Sequence, residues 1–86
     1  MERTTKRQVE GIFGLWVKTI GGRVATKYDD HGAYRLDYYQ GWNVEKIDNK
    51  TSGVSHPVGS YRLTSREMWL ALRLAIDSIE EKERNN

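Results

Sequence analysis

The spacing of apolar residues changes twice along this chain, and no other feature of the sequence constrains the fold more. Apolar side chains recur every three or four residues over residues 5–20, then at every second residue in several runs between residues 23 and 48, and every three or four again after residue 64. The outer spacings are typical of amphipathic helices and the middle one of half-buried strands. The sequence therefore predicts a helix, then strands, then a helix.

The first helix is predicted over residues 5–20. Thr5 and Gln8 have the spacing of a capping box, and the pair Gly21-Gly22 predicts the end of the helix. Gly11 and Gly14 lie inside it, where each lowers helix stability by roughly 1 kcal/mol relative to alanine. We expect a close approach to the sheet, or to another chain, at these two glycines.

Strands are predicted at residues 23–28, 33–39 and 42–48, with a short fourth strand at 58–63. Residues 29–32 have the composition of a turn and residues 48–53 that of a polar loop. Ile47 is out of step with Trp42 and Val44, which predicts a bulge or the end of the strand there. Because Pro57 cannot donate to a ladder, the fourth strand is expected at an edge or after the proline.

The second helix begins with another capping box, formed by Thr64 and Glu67. Its apolar arc includes Trp69, Leu70 and Leu74, and is wider than packing on one sheet requires. Two explanations are open: the helix contacts both the first helix and the sheet, or part of the arc binds a partner, such as a second copy in a homodimer.

These elements predict the α+β class: a single small domain over residues 1–86, with an ordered core of about residues 5–82. We expect an antiparallel sheet of three or four strands with both helices on one face and the other face open to water. A chain of 86 residues has a thin core, which makes a roomy internal cavity unexpected.

Composition excludes several classes of protein. The chain has no cysteine, which excludes disulfides, zinc fingers and thiol nucleophiles. It has no apolar run near the roughly 20 residues of a membrane span, and its first residues are polar. We therefore expect no membrane partner and a cytoplasmic protein, in the host cytoplasm if a phage encodes it.

Candidate catalytic residues are few. Asp29, Asp30 and His31 could hold a metal, but consecutive turn residues rarely present converging ligands, and turn formation explains them. Ser55 and His56 could act as nucleophile and base only beside an acid. Since the chain also has no glycine-rich phosphate loop, we predict a protein that is not an enzyme and has no metal or cofactor.

Charge gives little sign of a nucleic-acid partner. The 14 Lys and Arg residues are mixed with 12 Asp and Glu residues, for a net charge of +2, and form no clustered basic stripe. Affinity for phosphates depends on such clusters, so nucleic acid is the less expected partner.

Part of the chain nevertheless resembles a DNA-binding module. Over residues 33–79 the matching features are Trp42, Val44 and Ile47 in one strand, Gly59-Ser60-Tyr61 in the next, and the capped helix from Thr64. They resemble the sheet-plus-helix module of plant ethylene-response factors and of integrase arm-binding domains. The resemblance implies a sheet in the major groove. Its implied contacts are Arg35, Trp42, Lys46 and Arg62.

The chain also departs from that family. Asp37, Glu45 and Asp48 stand among the implied contacts, where each carboxylate opposes phosphate binding. The order of elements is also similar to double-stranded-RNA-binding domains, but the lysine-rich start of their second helix is missing, since only Arg66 is basic beside Glu67.

Aromatic residues in the strand region favour a protein partner. If Tyr34, Leu36 and Tyr38 face the helices, alternation turns Arg35 and Tyr39 to solvent. Tyrosine, tryptophan and arginine are the usual anchors of protein interfaces, although tyrosines also fill the rim of a small core. The predicted partner-binding residues, with the acidic turn expected to meet a basic groove, are Asp29, Asp30, Arg35, Tyr39, Trp42, Asn43 and Glu45.

In general character the chain resembles small phage-encoded accessory proteins, including anti-CRISPR inhibitors of host defence nucleases. That resemblance implies stoichiometric inhibition by covering the surface of a host defence or nucleic-acid-processing protein. The alternative is a small DNA-binding accessory domain that uses the same sheet face.

Overall fold

The computed structural model describes residues 3–27, 30–48, 53–59 and 61–84 of the 86-residue chain. Its elements are α1 (Lys6–Thr19), β1 (Tyr34–Tyr38), β2 (Trp42–Ile47), β3 (Val54–Ser55) and α2 (Ser65–Arg84). The predicted α+β class and the helix–sheet–helix order are confirmed.

The sheet is antiparallel in the order β1-β2-β3. Its register places Tyr34 opposite Lys46 and Tyr38 opposite Trp42. Two short segments extend the sheet through isolated bridges, because Val24 pairs in parallel with Tyr34 and Leu63 pairs antiparallel with Trp42. The sheet thus has three strands, the lower of the two numbers that the sequence predicts.

The predictions of strands at residues 23–28 and 58–63 are wrong for the described residues of these ranges, which do not include Tyr28 and Ser60. The first region leaves the sheet after its bridge and bends at residues 26 and 27, where the Thr26 N–H donates to the Asp30 carboxylate, 3.1 Å away. In the second, the Gly59 N–H donates to the His56 carbonyl and closes a turn around Pro57. The edge strand therefore precedes the proline, at Val54–Ser55.

Both predicted capping boxes are confirmed. At α1 the Gln8 N–H donates to the Thr5 hydroxyl at 3.2 Å, and the Thr5 N–H donates to the Gln8 side chain at 2.8 Å. At α2 the Glu67 N–H donates to the Thr64 hydroxyl at 3.2 Å, and the Thr64 N–H donates to the Glu67 carboxylate at 2.9 Å. These hydrogen bonds from Thr64 hold the pKa of Glu67 below its ordinary value.

The core lies between the two helices and one face of the sheet. Strand alternation places Trp42 and Val44 on this face, and Ile47, which ends β2, on the other. Neither helix is long and apolar enough to cross a membrane, as far as the described residues go. The buried hydrophobic cluster consists of Val9, Ile12, Phe13, Trp16, Val17, Trp42, Val44, Met68, Leu72 and Ile76.

The close approach of the sheet expected at the glycines of α1 is absent among the described residues, while an approach of another chain there stays a prediction. A Cβ atom placed on Gly11 or on Gly14 would have no other atom within 4 Å, the backbone of α1 itself left aside. Both positions are open, and packing against the sheet explains neither residue.

Candidate functional site

The outer face of the sheet, opposite the helices, carries charges that pair with each other. Alternation places Arg35, Asp37, Asn43 and Glu45 on this face. The Arg35 guanidinium donates to Glu45 Oε1 over 3.0 and 2.8 Å, and Arg62 Nη2 lies 2.9 Å from Asp37 Oδ2. His56 Nε2 lies 3.8 Å from Glu45 Oε2. The face therefore neutralises much of its own charge.

The expectation that these charges stand free in water is wrong. Only 27% of the Arg35 side chain and 13% of the Glu45 side chain are exposed, and Asn43 is buried. Asn43 Oδ1 has no hydrogen-bond partner among the described residues. Three of the predicted partner-binding residues, Arg35, Asn43 and Glu45, are thus largely covered by the chain itself.

Trp42 belongs to the core. Its indole N–H donates to the Ser65 hydroxyl over 2.9 Å, at the first residue of α2. With Leu63 paired to its backbone by two hydrogen bonds, it joins the sheet to the start of the second helix. Trp42 is therefore a structural anchor, which corrects the expectation of an exposed contact residue.

Asp30 is also buried and fully engaged. Arg23 Nη1 lies 2.6 Å from both carboxylate oxygens, and the Thr26 N–H donates to Oδ2 over 3.1 Å. The hydrogen bond from Arg23 is the largest cause that holds the pKa of Asp30 below its ordinary value. Asp30 thus stabilises its own turn, while the predicted contact at Asp29 lies outside the described residues.

The turn between β1 and β2 carries Tyr39, a predicted partner-binding residue that faces solvent. Tyr39 is 67% exposed, and Tyr38, which the sequence turned toward the helices, is 64% exposed although its ring packs 4.8 Å from that of Trp42. Arg62 lies over the Tyr39 ring, 5.8 Å from its centre, and donates to the Gly41 carbonyl. We call Tyr38, Tyr39, Gln40, Gly41 and Arg62 the hairpin surface.

The backbone fixes the shape of this hairpin surface. Gln40 has φ 53° and Gly41 has φ 130°, a conformation that favours glycine. A Cβ atom on Gly41 would lie 2.8 Å from Arg62 Cβ, so only glycine lets Arg62 approach the turn. The sequence signal for the surface is the run Tyr38-Tyr39-Gln40-Gly41, of which only Tyr39 is among the predicted partner-binding residues.

Two clefts meet at the hairpin surface. One of about 510 Å³ lies between α1 and β1, and one of about 380 Å³ lies between the turn and the start of α2. Tyr38 and Trp42 line both of them. Binding sites are usually concave and are lined mostly by apolar and aromatic side chains.

The residues implied for nucleic-acid binding do not share one surface. Arg35 belongs to the outer face, whereas Trp42 and Lys46 lie on the helix side of the sheet, where Lys46 Nζ is 5.8 Å from the centre of the Tyr34 ring. Arg35 and Arg62 are paired with Glu45 and Asp37. The four implied contacts are therefore divided between two faces.

Metal-binding side chains do not converge in the described part of the chain, and one of the two histidines lies beside an acid. No three His, Asp or Glu side chains there lie close enough together to hold a metal ion. The carbonyl of His31 accepts from Arg23, and His56 faces Glu45.

The outer side of α2 exposes two leucines. Leu70 and Leu74 lie two residues from the buried Leu72, which places them on the opposite side of the helix. A homodimer through this side stays a prediction.

Neither a family model, nor a curated protein, nor a solved structure matches the chain.

Proposed function

We propose that this chain is a non-enzymatic binding protein that acts by covering part of the surface of a protein partner. The observation that carries the proposal is the exposure of Tyr38, at the end of β1, and of Tyr39, in the turn that follows, where two clefts meet. Tyrosine buries a large area on binding and has few rotatable bonds to immobilise, so a pair of exposed tyrosines beside a cleft supports an interface.

The paired charges support a protein partner over a nucleic acid. Arg35 and Arg62 already hold carboxylates within 3 Å, so a phosphate would have to replace two short ion pairs. A protein partner can bind without replacing these ion pairs, because the core of a protein interface is depleted in charged residues and its polar groups lie at the rim.

The class of partner in this proposal is a host defence or nucleic-acid-processing protein, as for anti-CRISPR inhibitors. Its support is the small, cysteine-free chain and the resemblance in general character. In such a mechanism the hairpin surface occupies a site on the target and inhibits it at a stoichiometry of one to one.

The test is capture of a partner by the purified, tagged chain and by two matched variants. Tyr39→Ala removes an exposed ring from the hairpin surface, and Leu74→Ala removes an equally exposed side chain from the outer side of α2, since both residues are 67% exposed. We expect Tyr39→Ala to weaken partner binding about tenfold or more, and Leu74→Ala to leave it unchanged.

Thermal unfolding of both variants checks that they fold, and light scattering of the purified complex measures its stoichiometry. A partner that binds both variants as tightly as the parent chain would contradict the proposal. So would tight binding of duplex DNA that decreases steeply with salt, which is the result expected of the DNA-binding alternative.

A further inference from the structure

The outer edge of β1 has hydrogen-bonding groups with which no described backbone group pairs. The Tyr34 N–H donates to the Arg23 carbonyl at 2.9 Å, and the Tyr34 carbonyl accepts from the Ala25 N–H at 2.8 Å, both away from β2. Alternate residues of a strand direct their backbone groups to the same edge. The N–H and C=O groups of Leu36 and Tyr38 therefore face outward as well.

No segment of the described chain covers these groups. Pairing along this edge stops at Tyr34, and the neighbouring segment bends at residues 26 and 27. Beyond it, no backbone hydrogen bond reaches Leu36 or Tyr38 from this side in the described residues. An open strand edge of this kind is a template for another extended chain.

The cleft of about 510 Å³ runs beside the same edge. Its walls include Phe13 and Gly14 of α1 on one side, and Leu36 and Tyr38 of β1 on the other, with Val24 between. Gly14 leaves room in it, since a Cβ atom there would meet nothing within 4 Å. The cleft is thus a mainly apolar space, with Lys6, Glu10 and Arg35 also in its lining, next to these backbone groups.

We propose that this cleft binds an extended segment of a protein partner, which adds to the edge of β1 as a further strand. Main-chain hydrogen bonds to Leu36 and Tyr38 supply affinity, and alternate apolar side chains of the segment enter the cleft. This proposal rests on the proposed function, because it names the form in which the partner is recognised.

The geometry also sets the length of the segment. The two outward-facing residues, Leu36 and Tyr38, are two positions apart, which is about 7 Å of strand. A partner segment of about five residues spans them, with two or three side chains on the cleft side.

The experiment uses a phage-displayed library of short random peptides, selected on the purified full chain. We expect the selected peptides to have apolar residues at every second position. Their affinity, measured by fluorescence anisotropy, is expected to fall at least tenfold on Gly14→Leu, which fills the cleft. Gly11→Leu is the matched control, because it adds the same side chain to an open position of α1 that does not line the cleft.

A scan of N-methyl groups along a selected peptide tests the strand pairing itself. Only alternate N–H groups of an added strand face β1. We expect methylation to abolish binding at every second residue and to be tolerated at the residues between. Equal sensitivity at all positions, or at none, would overturn strand addition.

The outcomes separate this proposal from the proposed function. Strand addition is overturned if no selected peptide binds the Gly14→Leu variant more weakly than the parent chain. It is also overturned if a partner requires Tyr39 but binds the Gly14→Leu variant normally. In the latter case the proposed function stands. Conversely, a partner captured through the cleft that is indifferent to Tyr39→Ala removes the hairpin surface from the proposed function and leaves strand addition in place.

Discussion

The carboxylate of Asp30 is buried, and all of its hydrogen bonds favour the ionised form. Arg23 contacts both oxygens at 2.6 Å, and the Thr26 N–H contacts one of them. The hydrogen bond from Arg23 is the main cause that lowers the pKa of Asp30 from its ordinary value of 3.8. A carboxyl whose pKa is lower in the folded than in the unfolded state stabilises the fold above the unfolded pKa.

The lowered pKa of Asp30 leads to a prediction for the substitution Asp30→Asn. We expect the parent chain to lose stability as the pH falls from near 3.8 toward the lowered pKa of the folded state. The variant is expected to be less stable than the parent chain at neutral pH, and to lose less stability than the parent chain on acidification. Urea unfolding at several pH values measures both effects. Asp77→Asn, at an exposed ion pair with Arg73, is the control and is expected to change little at neutral pH.

Gly41 is the residue on which the shape of the hairpin surface depends. Its φ of 130° is strained for any other residue, and an added Cβ would lie 2.8 Å from Arg62 Cβ. We predict that Gly41→Ala lowers the free energy of unfolding by about 1–3 kcal/mol. Gly11→Ala should instead raise it by about 0.5–1 kcal/mol, since the position is open and helical. Chemical denaturation of the two variants checks that the free energy of unfolding changes in opposite directions. An unchanged free energy of unfolding in Gly41→Ala would contradict the role given to Gly41.

At the scale of the elements, the sequence predicted those features that short-range patterns determine. Both helices and both capping boxes follow from residues three or four positions apart. The strands at 23–28 and 58–63 were wrong because contacts outside the strand pattern decided them. The first segment bends at residues 26 and 27, beside the Asp30 carboxylate, and the turn at His56 places the edge strand before Pro57.

The second capping box gives a prediction at the same scale. Thr64→Ala removes the hydroxyl that accepts from the Glu67 N–H, and should lower the free energy of unfolding by about 1 kcal/mol. Thr64→Ser keeps the acceptor and should recover most of that loss. Urea unfolding of the two variants makes the comparison. Equal stability of Thr64→Ala and the parent chain would show that the box does not stabilise α2.

In the whole molecule, the arrangement of charge was the part that the sequence could not supply. The sequence put Arg35 and Glu45 together among the predicted partner-binding residues. It could not show that they pair across β1 and β2, or that Arg62 comes from a distant segment to pair with Asp37. Those contacts depend on register and on the path of residues 61–63. Of the predicted partner-binding residues, Tyr39 keeps the predicted exposure, whereas Trp42 and Asn43 are buried.

The pairing of Arg35 and Arg62 with carboxylates leads to a prediction about binding to DNA. Each phosphate contact steepens the dependence of log affinity on log salt by about 0.9, and Arg35 and Arg62 can make such contacts only after they leave Glu45 and Asp37. We therefore expect weak binding to duplex DNA with a shallow salt dependence, measured by fluorescence anisotropy at low and moderate salt.

Lys46 is the sharpest probe for that measurement. Arg35→Glu would place a second carboxylate opposite Glu45 and destabilise the sheet, so a loss of DNA binding in that variant could reflect unfolding. Lys46 instead lies over the Tyr34 ring, and Lys46→Gln keeps most of its length without the charge. We expect Lys46→Gln to leave the weak binding unchanged. A steep salt dependence that Lys46→Gln reduces would mean that the helix side of the sheet binds phosphates, in favour of the DNA-binding alternative.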